Sequence, residues 1–296
     1  MAMTFKVKLQ TVGKGTQGVV LPVMRDKMED EEMMDKVWLE DTEFWEMKSN
    51  IMDYTYDIKV SIPKEEAPEN GFPIYYMLDG NWYFQMGRDV VRLQAGNGPK
   101  TLISPAIVVG IGHKGTKEDV GKRRFYEFTP FAETYKYPER FKGTQIWDHG
   151  GAEKLLAFIE QELMPVINEK YAVNRDKQTL FGHSLSGLFV VWALFKRPDL
   201  FPYYVATSPS IWWNEHELFM LAEQYFQEGL PHAHRKLLML VGSEEDFMVD
   251  DAKQLYAKMS EHKTEQLEVE LYIAEDENHA SVVPTIMSRA FRFMNK

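Results

Sequence analysis

No cysteine occurs among the 296 residues. Disulfides, a thiolate nucleophile and a cysteine-ligated zinc site are therefore excluded. The redox compartment stays open, and with no basic-then-apolar leader at the start the expected location is the cytoplasm. Basic charge is scarce: 34 Lys and Arg face 45 Asp and Glu, a formal net charge of −11. Such a surface repels phosphate backbones, so no nucleic-acid partner is expected. No stretch approaches the ~20 apolar residues of a membrane helix, so no membrane partner is expected either. Internal repeats and low-complexity linkers are missing as well. What is present is an ordinary soluble composition, 44% hydrophobic and 27% charged. Its length suits one large α/β domain. The 17 methionines read as core filler. Oligomeric state is not legible.

The organisation predicts an N-terminal extension over residues 1–41 and one domain over 42–296. Residues 26–36 form an acidic, Met-rich run that reads as solvated. Residues 44–49 and 54–62 carry β-branched and aromatic side chains around a short polar break, the pattern of a leading antiparallel hairpin. Buried strands are then expected at 74–78, 106–112, 179–181, 203–207, 237–241 and 269–273. Helical spacing falls between them, at 84–93, 152–171, 187–195, 216–227, 251–262 and 281–294. Strand and helix in alternation predict a mostly parallel sheet covered on both faces, an α/β class fold. Residues 112–150 interrupt the alternation. They are polar and aromatic and read as a long substrate loop.

The most informative stretch is Gly182-His183-Ser184-Leu185-Ser186-Gly187, fed by an apolar strand and followed by a helix. It nearly matches the Gly-x-Ser-x-Gly turn that lifts a serine onto a strained strand-to-helix bend. Bulk two positions from the nucleophile would collide with the folded-over backbone. Gly182 satisfies that need; Ser186 departs from the strict pattern but is small. The helix N-terminus adds backbone donors and the positive end of a dipole. Ser184 is the candidate nucleophile.

A serine nucleophile needs a general base and an orienting carboxylate, in the chain order Ser, acid, His. His279 follows the last expected strand and precedes the last helix, at the sheet edge where Ser184 emerges. It is the candidate base. His183 should point away from Ser184, His113 and His149 bracket the long loop, and His216, His232, His234 and His262 read as helical or surface residues. The acid should follow the strand at 237–241, where Gly242-Ser243-Glu244-Glu245-Asp246 occurs. Spacing favours Glu245, with Asp246 as the alternative and no acid at all as a third; Glu244 reads as solvated. The oxyanion hole should combine the N–H of Leu185 with one from the loop at Gly80, where glycine lets backbone approach a carbonyl.

These residues resemble the esterase branch of the α/β-hydrolases, and particularly the enterobactin and bacillibactin esterases. Tyr76-Met77-Leu78-Asp79-Gly80-Asn81, Val108 to Ile111, Arg124 to Pro130, Gly150 to Lys154, the elbow itself, Ser208 to Trp213 and the Asn278-His279 pair carry the likeness. The resemblance implies an α/β-hydrolase fold and attack of Ser184 on an ester carbonyl with His279 as base. It also implies that some members work with a Ser–His pair alone, which leaves Glu245 and Asp246 open. It places Arg124 against an anionic catecholate substrate, with Arg123 beside it in the basic run Lys122-Arg123-Arg124. Trp82, Trp147 and Trp213 are candidates for stacking on substrate rings.

The expected function is a serine carboxylic-ester hydrolase working through an acyl-enzyme on a small-molecule ester, without metal or organic cofactor. A catecholate siderophore trilactone is the expected substrate. A general short-chain or aryl esterase and an acyltransferase are the rival enzymes. From another class, a catalytically silent binding protein on a hydrolase scaffold would have lost its nucleophile or base, and this sequence keeps both.

Overall fold

The computed structural model describes residues 39–139, 147–229, 233–262 and 266–295. The expected N-terminal extension lies outside the described residues except for its last three, and so do the acidic run, residues 140–146 of the loop, and His232. The leading hairpin forms from β1 (Thr42–Ser49) and β2 (Tyr54–Ser61), with Ser49 opposite Tyr54 next to the turn. Every second residue of β2 from Tyr56 is buried, the alternation of a strand with one face on the core.

Six further strands follow: β3 (Phe72–Met77), β4 (Ile107–Gly112), β5 (Val173–His183), β6 (Tyr203–Thr207), β7 (Arg235–Gly242) and β8 (Leu267–Ala274). All residues of β3 and β4 are buried, as unbroken apolar runs must be when helices cover both faces. The eight strands form one sheet in the order β1-β2-β4-β3-β5-β6-β7-β8. β2 runs antiparallel to β1 and to β4, and every other pairing is parallel. This is the α/β-hydrolase arrangement.

The helices are α1 (Gly80–Ala95), the short α2 (Gly98–Thr101), α3 (Lys117–Phe128), α4 (Ala152–Phe158), α5 (Met164–Lys170), α6 (Leu185–Lys196), α7 (Trp213–Glu228), α8 (Phe247–Glu261) and α9 (Val282–Arg292). α6 lies within the core. From Leu185 to Phe195 every residue of α6 is buried, as befits a helix that is apolar all round.

Two local features differ from the expectation and a third agrees with it. The single helix expected over 152–171 is α4 and α5 joined by a π-helical stretch, Ile159–Leu163. Pro165 has no N–H to donate to the preceding turn, and the wider turn accommodates that loss. The substrate loop at 112–150 contains α3. Thr116 accepts from the Asp119 N–H while the Asp119 carboxylate accepts from the Thr116 N–H, a capping box whose Thr-x-x-Asp signal is visible in the sequence. In α7 the residues Asn214, Glu215 and His216 have φ of 46°, 52° and 65°, so the regular helix begins only after them.

Candidate active site

Parallel register decides which loops meet. Met77 pairs with Phe181, His183 with Thr207, and Gly242 with Ala274. The segments leaving β3, β5, β6, β7 and β8 therefore emerge along one edge of the sheet, the carboxyl edge where α/β proteins bind ligands.

Ser184 stands at the turn from β5 into α6 with φ 63° and ψ −118°, a strained conformation for a residue other than glycine. Its own backbone holds it there: the Ser184 N–H donates to the Thr207 carbonyl at 3.0 Å, and its carbonyl accepts from the Ser210 N–H at 3.1 Å. The bend is tight enough that a Cβ on Gly182 would lie 2.3 Å from the Ser186 carbonyl oxygen.

The Ser184 hydroxyl lies 3.0 Å from His279 Nε2, and His279 Nδ1 lies 2.6 Å from Glu245 Oε2. A carboxylate can only accept, so Nδ1 carries the proton and Nε2 is left to accept from the serine. Glu245 is buried, 6% exposed. Its other oxygen accepts from the Ser208 hydroxyl at 2.5 Å and the Gly242 N–H at 2.7 Å. Burial pushes this carboxyl up. The hydrogen bonds from His279, Ser208 and Gly242 outweigh burial and hold it below the usual glutamate value. Asp246, the alternative acid, is exposed and opens α8, and Glu244 is exposed. Ser208, at φ 42° on the turn after β6, was not singled out as a site residue. Only its place in the Ser208 to Trp213 segment hinted at it.

Leu185 and Gly80 are each the first residue of a helix, so their N–H groups are not used by the helix itself. Glycine at position 80 also meets a packing need. A Cβ there would fall 2.7 Å from the Gly110 backbone carbonyl carbon, so glycine is needed for α1 to pack against β4. Asn81 reinforces that contact, donating to the His113 carbonyl at 2.7 Å and accepting the His113 N–H at 2.7 Å.

Several expected substrate contacts are engaged elsewhere. Arg124 donates through Nε (2.7 Å) and Nη2 (3.0 Å) to the two carboxylate oxygens of Asp79. Burial works against its charge and the Asp79 carboxylate more than restores it. Arg123 pairs with the fully buried Glu127 and lies over the Tyr54 ring. Both arginines are drawn inward because a buried carboxylate needs a cation more than solvent does. Trp213 is 1% exposed and ringed by Phe125, Tyr135, Tyr137 and His149, so it packs and offers no free face. Trp82 does remain half exposed, with the Arg124 guanidinium 5.1 Å from its ring.

His183 makes its contacts with Tyr83 and His279. Its ring centroid is 4.6 Å from that of His279, and its Nδ1 is 2.9 Å from the Tyr83 hydroxyl. Burial, with His279 alongside, depresses it to about 3, so it stays neutral. Of the other histidines expected near the loop, His113 is buried against Glu127 and His149 stacks on Tyr135. No group of three or more His, Asp or Glu among the described residues could hold a metal ion. No helix among them is long and apolar enough to cross a membrane.

This hydrogen-bonded series, a serine on a strained elbow, an imidazole and a buried carboxylate, is one that can deprotonate a hydroxyl. Comparison with known proteins agrees with that chemistry. Residues 49–283 match the family described as "Putative esterase". The chain is 35% identical over 257 residues to the ferri-bacillibactin esterase BesA of Bacillus subtilis, covering 85% of this chain and 89% of that one. It is 29% identical over 277 residues to a siderophore enterobactin esterase of Emericella nidulans, covering 82% and 90%. The crystal structure of a BES protein from Bacillus cereus superimposes with a TM-score of 0.83 at 37% identity, over 88% of this chain and 98% of that one. The family match over residues 49–283, with 35% identity to BesA across 85% of this chain, makes the chain a member of this esterase family, built on the α/β-hydrolase fold.

Proposed function

We propose that the protein is a serine esterase that hydrolyses a siderophore triester with catecholate arms. Ser184 is the nucleophile, His279 the general base and Glu245 the carboxylate that fixes the imidazole. His279 Nε2 takes the Ser184 proton as Oγ attacks the ester carbonyl. The N–H groups of Leu185 and Gly80 receive the developing oxyanion. His279, now protonated and facing the Glu245 carboxylate, returns the proton to the leaving alkoxide. An acyl-enzyme remains. Water, deprotonated by the same imidazole, attacks it and regenerates Ser184. The observation that carries this reading is the unbroken Ser184–His279–Glu245 hydrogen-bond chain.

The substrate class rests on the relatives, whose names are those of ferri-bacillibactin and enterobactin esterases. Two measurements test the proposal. A fluorophosphonate should label the protein but not Ser184→Ala, and that variant should lose ~10⁴–10⁶ in kcat. Absence of labelling in folded wild-type protein refutes the nucleophile. Ferric and iron-free catecholate trilactones should be cleaved with a higher kcat/KM than p-nitrophenyl acetate. The reverse order refutes the siderophore assignment and leaves a general esterase.

A further inference from the structure

The elbow departs from the strict motif at Ser186, and the structure gives that hydroxyl a partner. Ser186 Oγ accepts the His183 N–H at 2.8 Å and lies 2.7 Å from Asp79 Oδ2. The His183 carbonyl is 2.9 Å from the same oxygen. The hydroxyl has one proton, and a carboxylate accepts it more strongly than a neutral carbonyl, so it donates to Asp79. Asp79 is 1% exposed and adopts φ 54° as the residue that caps α1. Both of its oxygens also accept from Arg124, which reaches across from α3. A buried carboxylate is thus met by one cation and one hydroxyl, and each comes from a different element.

The sequence positions give this network its meaning. Asp79 immediately precedes Gly80, and Ser186 immediately follows Leu185. The Ser186–Asp79 hydrogen bond therefore joins the neighbours of the two N–H groups assigned to the oxyanion. The register of β3 and β5 ends at Met77 and Phe181, and the last backbone bond between them runs from the Leu78 N–H to the Phe181 carbonyl at 3.0 Å. Beyond that pairing, the loop from β3 and the elbow from β5 need another link to keep a fixed separation. We propose that Asp79, Arg124 and Ser186 form a brace that sets the distance and angle between the Gly80 and Leu185 donors. They are positioning residues that touch no reacting atom. The inference rests on the serine-esterase reading above. It assigns Arg124 to holding the oxyanion site and not to contacting an anionic substrate.

Oxyanion donors act only where the tetrahedral oxygen forms, so a slackened brace should slow chemistry without weakening ground-state binding. The main test is Ser186→Gly, which restores the strict Gly-x-Ser-x-Gly pattern. If the motif alone mattered, this variant would match wild type. The brace predicts a fall of about 10–100-fold in kcat with KM within about two-fold, since losing a whole donor costs about 10²–10³. The loss should be equal for a neutral aryl ester and an anionic catecholate ester. Affinity for an arylboronic acid, which mimics the tetrahedral intermediate, should fall by a similar factor. Arg124→Lys keeps the charge but not the two-pronged contact, and should show the same kcat-weighted loss. A double-mutant cycle of Ser186→Ala and Arg124→Lys should be non-additive, because both act through Asp79.

Wild-type kcat in Ser186→Gly overturns the brace. So does an Arg124→Lys variant in which only KM for the anionic ester rises, since that is the signature of a substrate contact. If Ser184→Ala remained active, the esterase reading itself would fail. Loss of activity in Ser184→Ala with no effect in Ser186→Gly would remove the brace alone.

Discussion

Replacing Glu245 by glutamine tests the site through a proton and not through a lost contact. In the native arrangement Oε1 receives two donors, the Ser208 hydroxyl and the Gly242 N–H, while Oε2 receives the His279 Nδ1–H. A carboxamide of nearly the same shape has one oxygen and one NH₂. The backbone N–H of Gly242 cannot become an acceptor, so the amide oxygen must take the Oε1 position. The NH₂ then faces His279 Nδ1, which must give up its proton to accept from it. The imidazole is left protonated at Nε2, the nitrogen 3.0 Å from Ser184 Oγ, and can no longer take the serine proton. Forcing the wrong tautomer in a serine–histidine–carboxylate site costs about 10⁴ in kcat. Each tenfold is about 1.4 kcal/mol, so the barrier should rise by about 5–6 kcal/mol. Stopped assays on a chromogenic ester near neutral pH would measure it, with fluorophosphonate labelling slowed in parallel and KM nearly unchanged. Asp246→Asn, at an exposed carboxylate, should stay within about two-fold of wild type. An Glu245→Gln variant within tenfold of wild type would refute the tautomer argument and return the site to a Ser–His pair.

Two further perturbations read other parts of the site. Gly182→Ala places a methyl 2.3 Å from the Ser186 carbonyl oxygen, backbone that cannot move aside without opening the elbow. It should cost about 3 kcal/mol in urea unfolding and most of the esterase activity. A variant as stable as wild type would mean that the elbow is looser than described. His183 makes stability pH-dependent: its folded value is about 3, below the ordinary histidine value of 6.5. Between those values the unfolded chain holds one proton more than the native state at this residue. Stability from this group is therefore complete above about pH 6.5 and is lost as pH falls toward 3, at up to about 1.4 kcal/mol per pH unit. His183→Gln should flatten that slope by one proton in urea unfolding between pH 4.5 and 6.5, and an unchanged slope would show that His183 protonates freely in the folded protein.

What was legible in the sequence was whatever depends on local chemistry and period. The strand-to-helix elbow follows from Gly182 and Ser184 within an apolar frame. The sheet follows from buried runs such as 74–78 and 106–112, because a strand covered on both faces must be apolar throughout. The helix α3 was also written locally, in Thr116 and Asp119, but the aromatic and charged residues around it masked a weak amphipathic period. Other features were not written locally at all. Nothing near Arg124 says that its partner is Asp79, 45 residues earlier, and nothing near Ser208 says that it meets Glu245, 37 residues later. Both contacts exist because parallel strands bring distant turns to one edge. Read alone, a basic run in an acidic chain points outward to an anionic ligand. In the fold, the cost of an unpaired buried carboxylate exceeds the gain from an exposed cation, and Arg124 turns inward. The same argument explains Ser186. A glycine there would satisfy the steric demand of the elbow but would leave the buried His183 N–H without an acceptor and Asp79 with one donor fewer. The departure from the strict motif is thus a polar requirement of this particular core, which pattern matching alone treats as a tolerated imperfection.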